Sequence, residues 1–209
     1  MAALTIGQSA IHTVIFDFDG TLAKLNIDFQ KMHSVVMELI ASCGISGDGL
    51  HTRFVLEMID GAFEILQQQS ESRARSFLAE ANTLIESIEV EAAHRGELFE
   101  DTRSLLSSLQ AMNISCGIIT RNCAHAVKIV FPDILSCCPV VVCRDDVGRV
   151  KPHPEHISLA LEKIGSPPHI ALMVGDHPID IKTGRNAGTK TCGVLTGRCQ
   201  RSEFIAEGA

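Results

Sequence analysis

Apolar positions fall into three regimes along the chain. Residues 12–16 form a β-branched apolar run ending in Val14, Ile15 and Phe16, and it stops abruptly at Asp17, Phe18, Asp19, Gly20 and Thr21. A short apolar run without alternation predicts a buried strand, and the polar, Gly-containing segment behind it predicts a turn. Between about residues 25 and 95 the apolar residues recur at three-, four- and seven-residue spacing. Met32, Val35, Val36, Leu39 and Ile40 form one set. Phe54, Val55, Met58, Ile59, Ala62 and Phe63 form a second, continued by Ile65 and Leu66, and Phe77, Leu78, Ala81, Leu84, Ile85 and Ile88 form a third. That period predicts a small helical bundle, broken at residues 44–49 where three glycines cluster.

From residue 97 onward the two patterns alternate. Helical spacing over 101–112, 124–130, 154–164 and 179–187 is followed each time by a strand-like run, at 114–119, 140–143, 170–174 and 191–195. Strands interleaved with helices predict βαβ units and a parallel sheet. The lone first strand cannot bury both faces by itself and is expected in that sheet. The predicted fold class is therefore α/β: a doubly wound parallel sheet from residues 1–24 and 96–209, with residues 25–95 as an inserted helical domain.

In an open α/β sheet, ligands bind beyond the carboxyl ends of the strands. Strand one is followed by Asp17, Asp19, Gly20 and Thr21, and strand two by Thr120, Arg121 and Asn122. The loop after strand three carries Lys151 and Pro152, and strand four is followed by Gly175, Asp176 and Asp180. Four carboxylates on one edge repel unless a cation joins them, and oxygen-only donors favour a hard ion such as Mg²⁺. Lys151 and Thr120 then suit a phosphate, as a point charge and a hydroxyl donor. Of Asp17 and Asp19, one can serve as nucleophile and the other as general acid and base. The residues point to phosphoryl transfer.

Composition removes several other functions. The chain has 25 acidic and 18 basic residues, a formal net charge of −7, no Trp, no Tyr and nine Phe. It offers neither the basic surface of a nucleic-acid binder nor a base-stacking platform. No run approaches the roughly 20 apolar residues of a membrane span, and no export signal opens the chain, so a cytoplasmic protein without membrane partners is expected. Eight cysteines without a CxxC pair read as reduced, buried small hydrophobes.

Asp17 to Thr21, Thr120, Lys151 with Pro152, and Gly175 and Asp176 with Asp180 resemble, in order and spacing, the four motifs of the haloacid dehalogenase superfamily. The helical insert is similar to the type-one cap of phosphoglycolate phosphatase and β-phosphoglucomutase. The resemblance covers essentially the whole chain and implies a Rossmann-like core. It also implies roles. Asp17 attacks phosphorus and carries an aspartyl-phosphate, while Asp19 protonates the leaving oxygen and then activates water. Asp17, the Asp19 carbonyl and Asp176 hold Mg²⁺, and Asp180 supports the metal shell or orients Lys151. Thr120 and Lys151 bind the phosphoryl group, helped by backbone N–H groups near Asp19, Gly20 and Asn122. The family's dehalogenases lack an acid two residues after the nucleophile, so Asp19 favours phosphate chemistry.

The function these residues imply is a Mg²⁺-dependent phosphatase acting on a small phosphorylated metabolite such as phosphoglycolate. A β-phosphoglucomutase-like phosphotransferase, a catalytically silent binding module and hydrolysis of inorganic pyrophosphate are the alternatives. Arg121 stands where relatives often carry Asn, and is a candidate substrate contact. His177 is expected to be no metal ligand, since imidazole suits softer ions. His153 and His156 are expected at the surface. Lys24, Asn26, Asp28 and His33 are candidate contacts of the linker and early insert, and Phe29, Phe54, Phe63 and Phe99 are the aromatic residues available there.

Overall fold

A computed structural model of the chain describes residues 4–7, 9–46, 50 and 54–209. Residues 47–49 of the expected glycine break, and the first three residues, lie outside the described residues. In chain order, a hairpin of β1 (Thr5–Ile6) and β2 (Ser9–Ala10) precedes β3 (Thr13–Phe16) and β4 (Ala23–Lys24). Three helices follow: α1 (Phe29–Ser42), α2 (Val55–Gln69) and α3 (Glu71–Ala93). Then come β5 (Glu97–Leu98), α4 (Thr102–Ala111), β6 (Ser115–Ile119), α5 (Ala124–Val130), α6 (Ile134–Cys137) and β7 (Val140–Val142). The chain continues through α7 (Pro154–Ile164), β8 (Ala171–Gly175), α8 (Pro178–Ala187), β9 (Lys190–Gly193) and α9 (Arg201–Ala206).

The chain divides into two compact units, Met1–Leu25 with Arg95–Ala209, and Asn26–His94. The first holds a five-stranded sheet in the order β7-β6-β3-β8-β9, with every neighbouring pair parallel. All four residues of β3 and all five of β8 are buried, as the apolar runs require of central strands. Ile15, Ile119, Val142, Met173, Ile157 and Leu161 pack one core between the sheet and α7. The α/β class with a parallel, Rossmann-like sheet is thus observed.

The order puts β3 at the centre, flanked by β6 and β8. In register, Phe16 lies beside Ile118 on one side and Val174 on the other. The residues just beyond these three positions therefore emerge together at one edge of the sheet.

The second unit is α1, α2 and α3. Each buries one apolar stripe: Met32, Val36, Leu39 and Ile40 on α1; Met58, Ile59, Ala62 and Leu66 on α2; Ala74, Phe77, Ala81, Ile85 and Ile88 on α3. Asp28 starts α1 by accepting the Lys31 N–H at 2.8 Å, and Ser70 does the same for Arg73 at the head of α3.

Two expectations need correction. β9 spans Lys190–Gly193 rather than 191–195, and Leu195 is 63% exposed; the apolar run there continues past the strand into a loop. His156 is wholly buried rather than at the surface.

Candidate active site

Asp17 leaves the end of β3 and meets Lys151 across the sheet edge. Lys151 Nζ donates to Asp17 Oδ1 at 2.5 Å and to Asp180 Oδ1 at 2.7 Å. All three side chains are buried. Burial presses the Lys151 ammonium toward neutrality, yet Asp17 and Asp180 outweigh it and hold its pKa above the ordinary lysine value. Lys151 stays charged. One ammonium cannot compensate every acid around it, and the surplus appears in the others. Burial, with Asp17 and Asp180 adding, lifts Asp176 to about 7. Burial also raises Asp180, against the pull of Lys151.

The second oxygen of Asp180 accepts the His177 N–H at 3.1 Å, while His177 Nδ1 accepts the Ile179 N–H. This reciprocal cap opens α8, with Pro178 in its first turn. Asp180 therefore serves helix and lysine at once, and both its oxygens are engaged. His177 has a capping role.

Asp19 turns its carboxylate the other way, where Oδ1 accepts the Leu25 N–H at 2.9 Å. Burial lifts it to about 6 against that bond. The turn that follows Asp19 engages one of the expected donors. The Gly20 N–H donates to Ala23 O at 2.7 Å and is not available to a phosphate. The main-chain N–H groups of Phe18 and Asp19 meet no acceptor among the described residues, so they are the open donors beside Asp17. Gly20 itself has φ +86°, and a Cβ there would overlap the Asp176 carboxylate. Only glycine allows this turn and this approach.

Beyond β6, Thr120 is buried and its Oγ1 accepts the Asn122 N–H at 3.2 Å. Its hydroxyl proton remains to donate, whereas the Asn122 N–H is occupied. The Asn122 side chain is buried with Nδ2 lacking a partner, a donor of the kind that a ligand oxygen satisfies. Arg121 Nη1 donates to the Lys151 carbonyl at 2.8 Å, so the guanidinium expected on substrate is engaged with the lysine loop.

His156 completes that loop. The Lys151 N–H donates to His156 Nδ1 at 3.2 Å, and the opposite ring nitrogen meets Val142 O at 3.0 Å. Nε2 thus carries the proton, and the ring is neutral. Burial and then the nearby Lys151 push its pKa down to about 4. Val142 O also accepts the Thr120 N–H. Lys151 is therefore fixed at its N–H, its carbonyl and its ammonium. Sequence reading missed His156 because no local pattern separates a histidine that faces a loop from one that faces solvent.

Oxygen atoms of Asp17, Asp176 and Asp180 lie within 4.8 Å of one another. Asp176 accepts no hydrogen bond from a described residue and is lifted in pKa by burial and then by its acidic neighbours. A partly buried, unpaired carboxylate among all-oxygen donors fits a hard divalent cation.

The family model of haloacid dehalogenase-like hydrolases matches residues 14–194. The chain belongs to that family. It is 29% identical over 202 residues to pyrophosphatase PpaX of Bacillus pumilus, covering 90% of this chain and 85% of the relative. It is 32% identical over 198 residues to pyrophosphatase PpaX of Bacillus cereus, covering 88% and 83%. The fold is similar to that of a hydrolase from Pseudomonas syringae, with TM-score 0.65 at 21% identity over 95% of this chain and 91% of that one. As a member of this family, the chain is a hydrolase.

Proposed function

We propose that the protein is a Mg²⁺-dependent phosphatase that hydrolyses a small phosphorylated metabolite through an aspartyl-phosphate on Asp17. The observation that carries this reading is Lys151, held between Asp17 and Asp180. A lysine that stays charged beside Asp17 orients the nucleophilic carboxylate and stands ready for a phosphoryl oxygen. Thr120 Oγ1, the open N–H groups of Phe18 and Asp19, and the unpartnered Asn122 Nδ2 are donors for the remaining oxygens. Asp19, lifted to about 6, can hold a proton near neutrality, give it to the leaving oxygen and then accept one from water. Asp17, Asp176 and the Asp19 carbonyl, which accepts no described hydrogen bond, would hold the cation. Its chemistry there is to neutralise the carboxylates and polarise a phosphoryl oxygen. Asp180, with both oxygens engaged, supports rather than ligates.

Phosphoglycolate is the expected substrate type. The name of the Bacillus relatives favours a second reading, hydrolysis of inorganic pyrophosphate. Phosphate release from phosphoglycolate, pyrophosphate and sugar phosphates, with Mg²⁺ and with chelator, tests both. Release is expected to require Mg²⁺ and to fall by several orders of magnitude in folded Asp17→Asn. Wild-type rates in that variant would remove Asp17 from its role.

A further inference from the structure

The loop after β9 holds a cation that no motif assigns. Thr196 Oγ1 donates to the main-chain carbonyl of Gly20, and Gly197 passes so close to Asp176 that a Cβ there would overlap its carboxylate. These two contacts fix residues 196–197 against the ends of β3 and β8. Arg198 comes next. It is exposed, makes no hydrogen bond or ion pair with a described residue, and lies within electrostatic reach of Asp19.

The contrast with Lys151 is informative. Lys151 is buried and already paired with two carboxylates. Arg121 is engaged with the Lys151 carbonyl, whereas Arg198 is a further cation on the same edge with its five N–H donors unused among the described residues. A guanidinium presents a planar fork that matches carboxylate and phosphate oxygens alike. The acids Asp19 and Asp176 would repel any additional negative charge on a substrate, and Arg198 stands beside both contacts that border them.

We propose that Arg198 receives a second anionic group of the substrate, so that the site selects phosphoryl donors whose leaving group is itself a phosphate or a carboxylate. This rests on the phosphatase reading of the same site and narrows its substrate class. Arg198 acts on binding; bond cleavage stays with Asp17 and Asp19.

The test is calorimetric titration of the full chain in Mg²⁺ buffer with three non-hydrolysable ligands. Methylenediphosphonate carries a distal phosphonate, phosphonoacetate a distal carboxylate, and ethylphosphonate a neutral tail. The wild type is expected to bind one or both of the first two at least about tenfold tighter than ethylphosphonate, and the preferred one identifies the distal group. Arg198→Met should erase that preference and leave ethylphosphonate affinity unchanged, while Arg198→Lys, which keeps the charge without the fork, should retain part of it. No preference in the wild type, a preference that survives Arg198→Met, or equal losses for all three ligands would each overturn the proposal. Binding is read without turnover. A protein that shows the preference yet releases no phosphate would overturn the phosphatase reading and leave Arg198 as the anion receptor.

Discussion

Lys151 governs the electrostatics of the site. Two buried carboxylates depend on its charge, so Lys151→Met leaves them without a cation. A destabilisation of about 3–5 kcal/mol at pH 7 is expected by urea denaturation, since breaking a buried pair exposes the desolvation cost of the survivor. A loss under about 1 kcal/mol would mean that solvent already screens the pair. His156 makes a pH-dependent contribution of opposite origin. Its folded pKa of about 4 lies below the ordinary 6.5, so the unfolded chain binds a proton that the native ring refuses. Its contribution is complete above pH 6.5 and is lost as pH falls toward and through 4. His156→Gln keeps a donor and an acceptor but does not titrate. The stability advantage of wild type over this variant should therefore shrink on acidification from pH 6.5 to 4, by roughly 3 kcal/mol at most. The raised acids Asp19, Asp176 and Asp180 push the other way in both proteins and largely cancel in the difference. A pH-independent gap would show that the ring is not held neutral.

At the scale of elements, the site is built from strand ends and helix starts. The turn after β3 works because Gly20 takes φ +86° and lets Asp176 approach. Gly20→Ala should cost roughly 1–2 kcal/mol for the left-handed backbone alone, and its Cβ must displace Asp176. The expected outcome is a higher Mg²⁺ requirement, read from Mg²⁺ titrations of activity and of thermal stability. An unchanged Mg²⁺ dependence would separate Asp176 from the cation. Elements with strong patterns were legible: α5 and α7 occupy the residues that the spacing predicts, and β3 and β8 follow their apolar runs. The pairs β1–β2 and β4–β5 were not, because two-residue strands carry no periodicity. β9 was displaced because hydrophobicity runs on through Val194 and Leu195 after the pairing ends.

For the whole molecule, the parallel order β7-β6-β3-β8-β9 is what turns scattered acids into one site. Asp17 and Lys151 stand 134 residues apart in the chain and share a hydrogen bond. The acids and the lysine were legible because their types and order along the chain form motifs. The bracing of Lys151 by Arg121 and His156 was not, since it depends on which way side chains turn from loops. Arg198 belongs to none of these motifs, and its meaning comes from the contacts of Thr196 and Gly197.

The central claim is that Asp17 carries the phosphoryl group. Borohydride reduction during turnover converts an acyl phosphate on aspartate to homoserine, which peptide mass mapping locates. With substrate and Mg²⁺, homoserine is expected at position 17, and without substrate the residue should stay aspartate. Homoserine at position 19 instead, or none anywhere while phosphate is being released, would contradict the account.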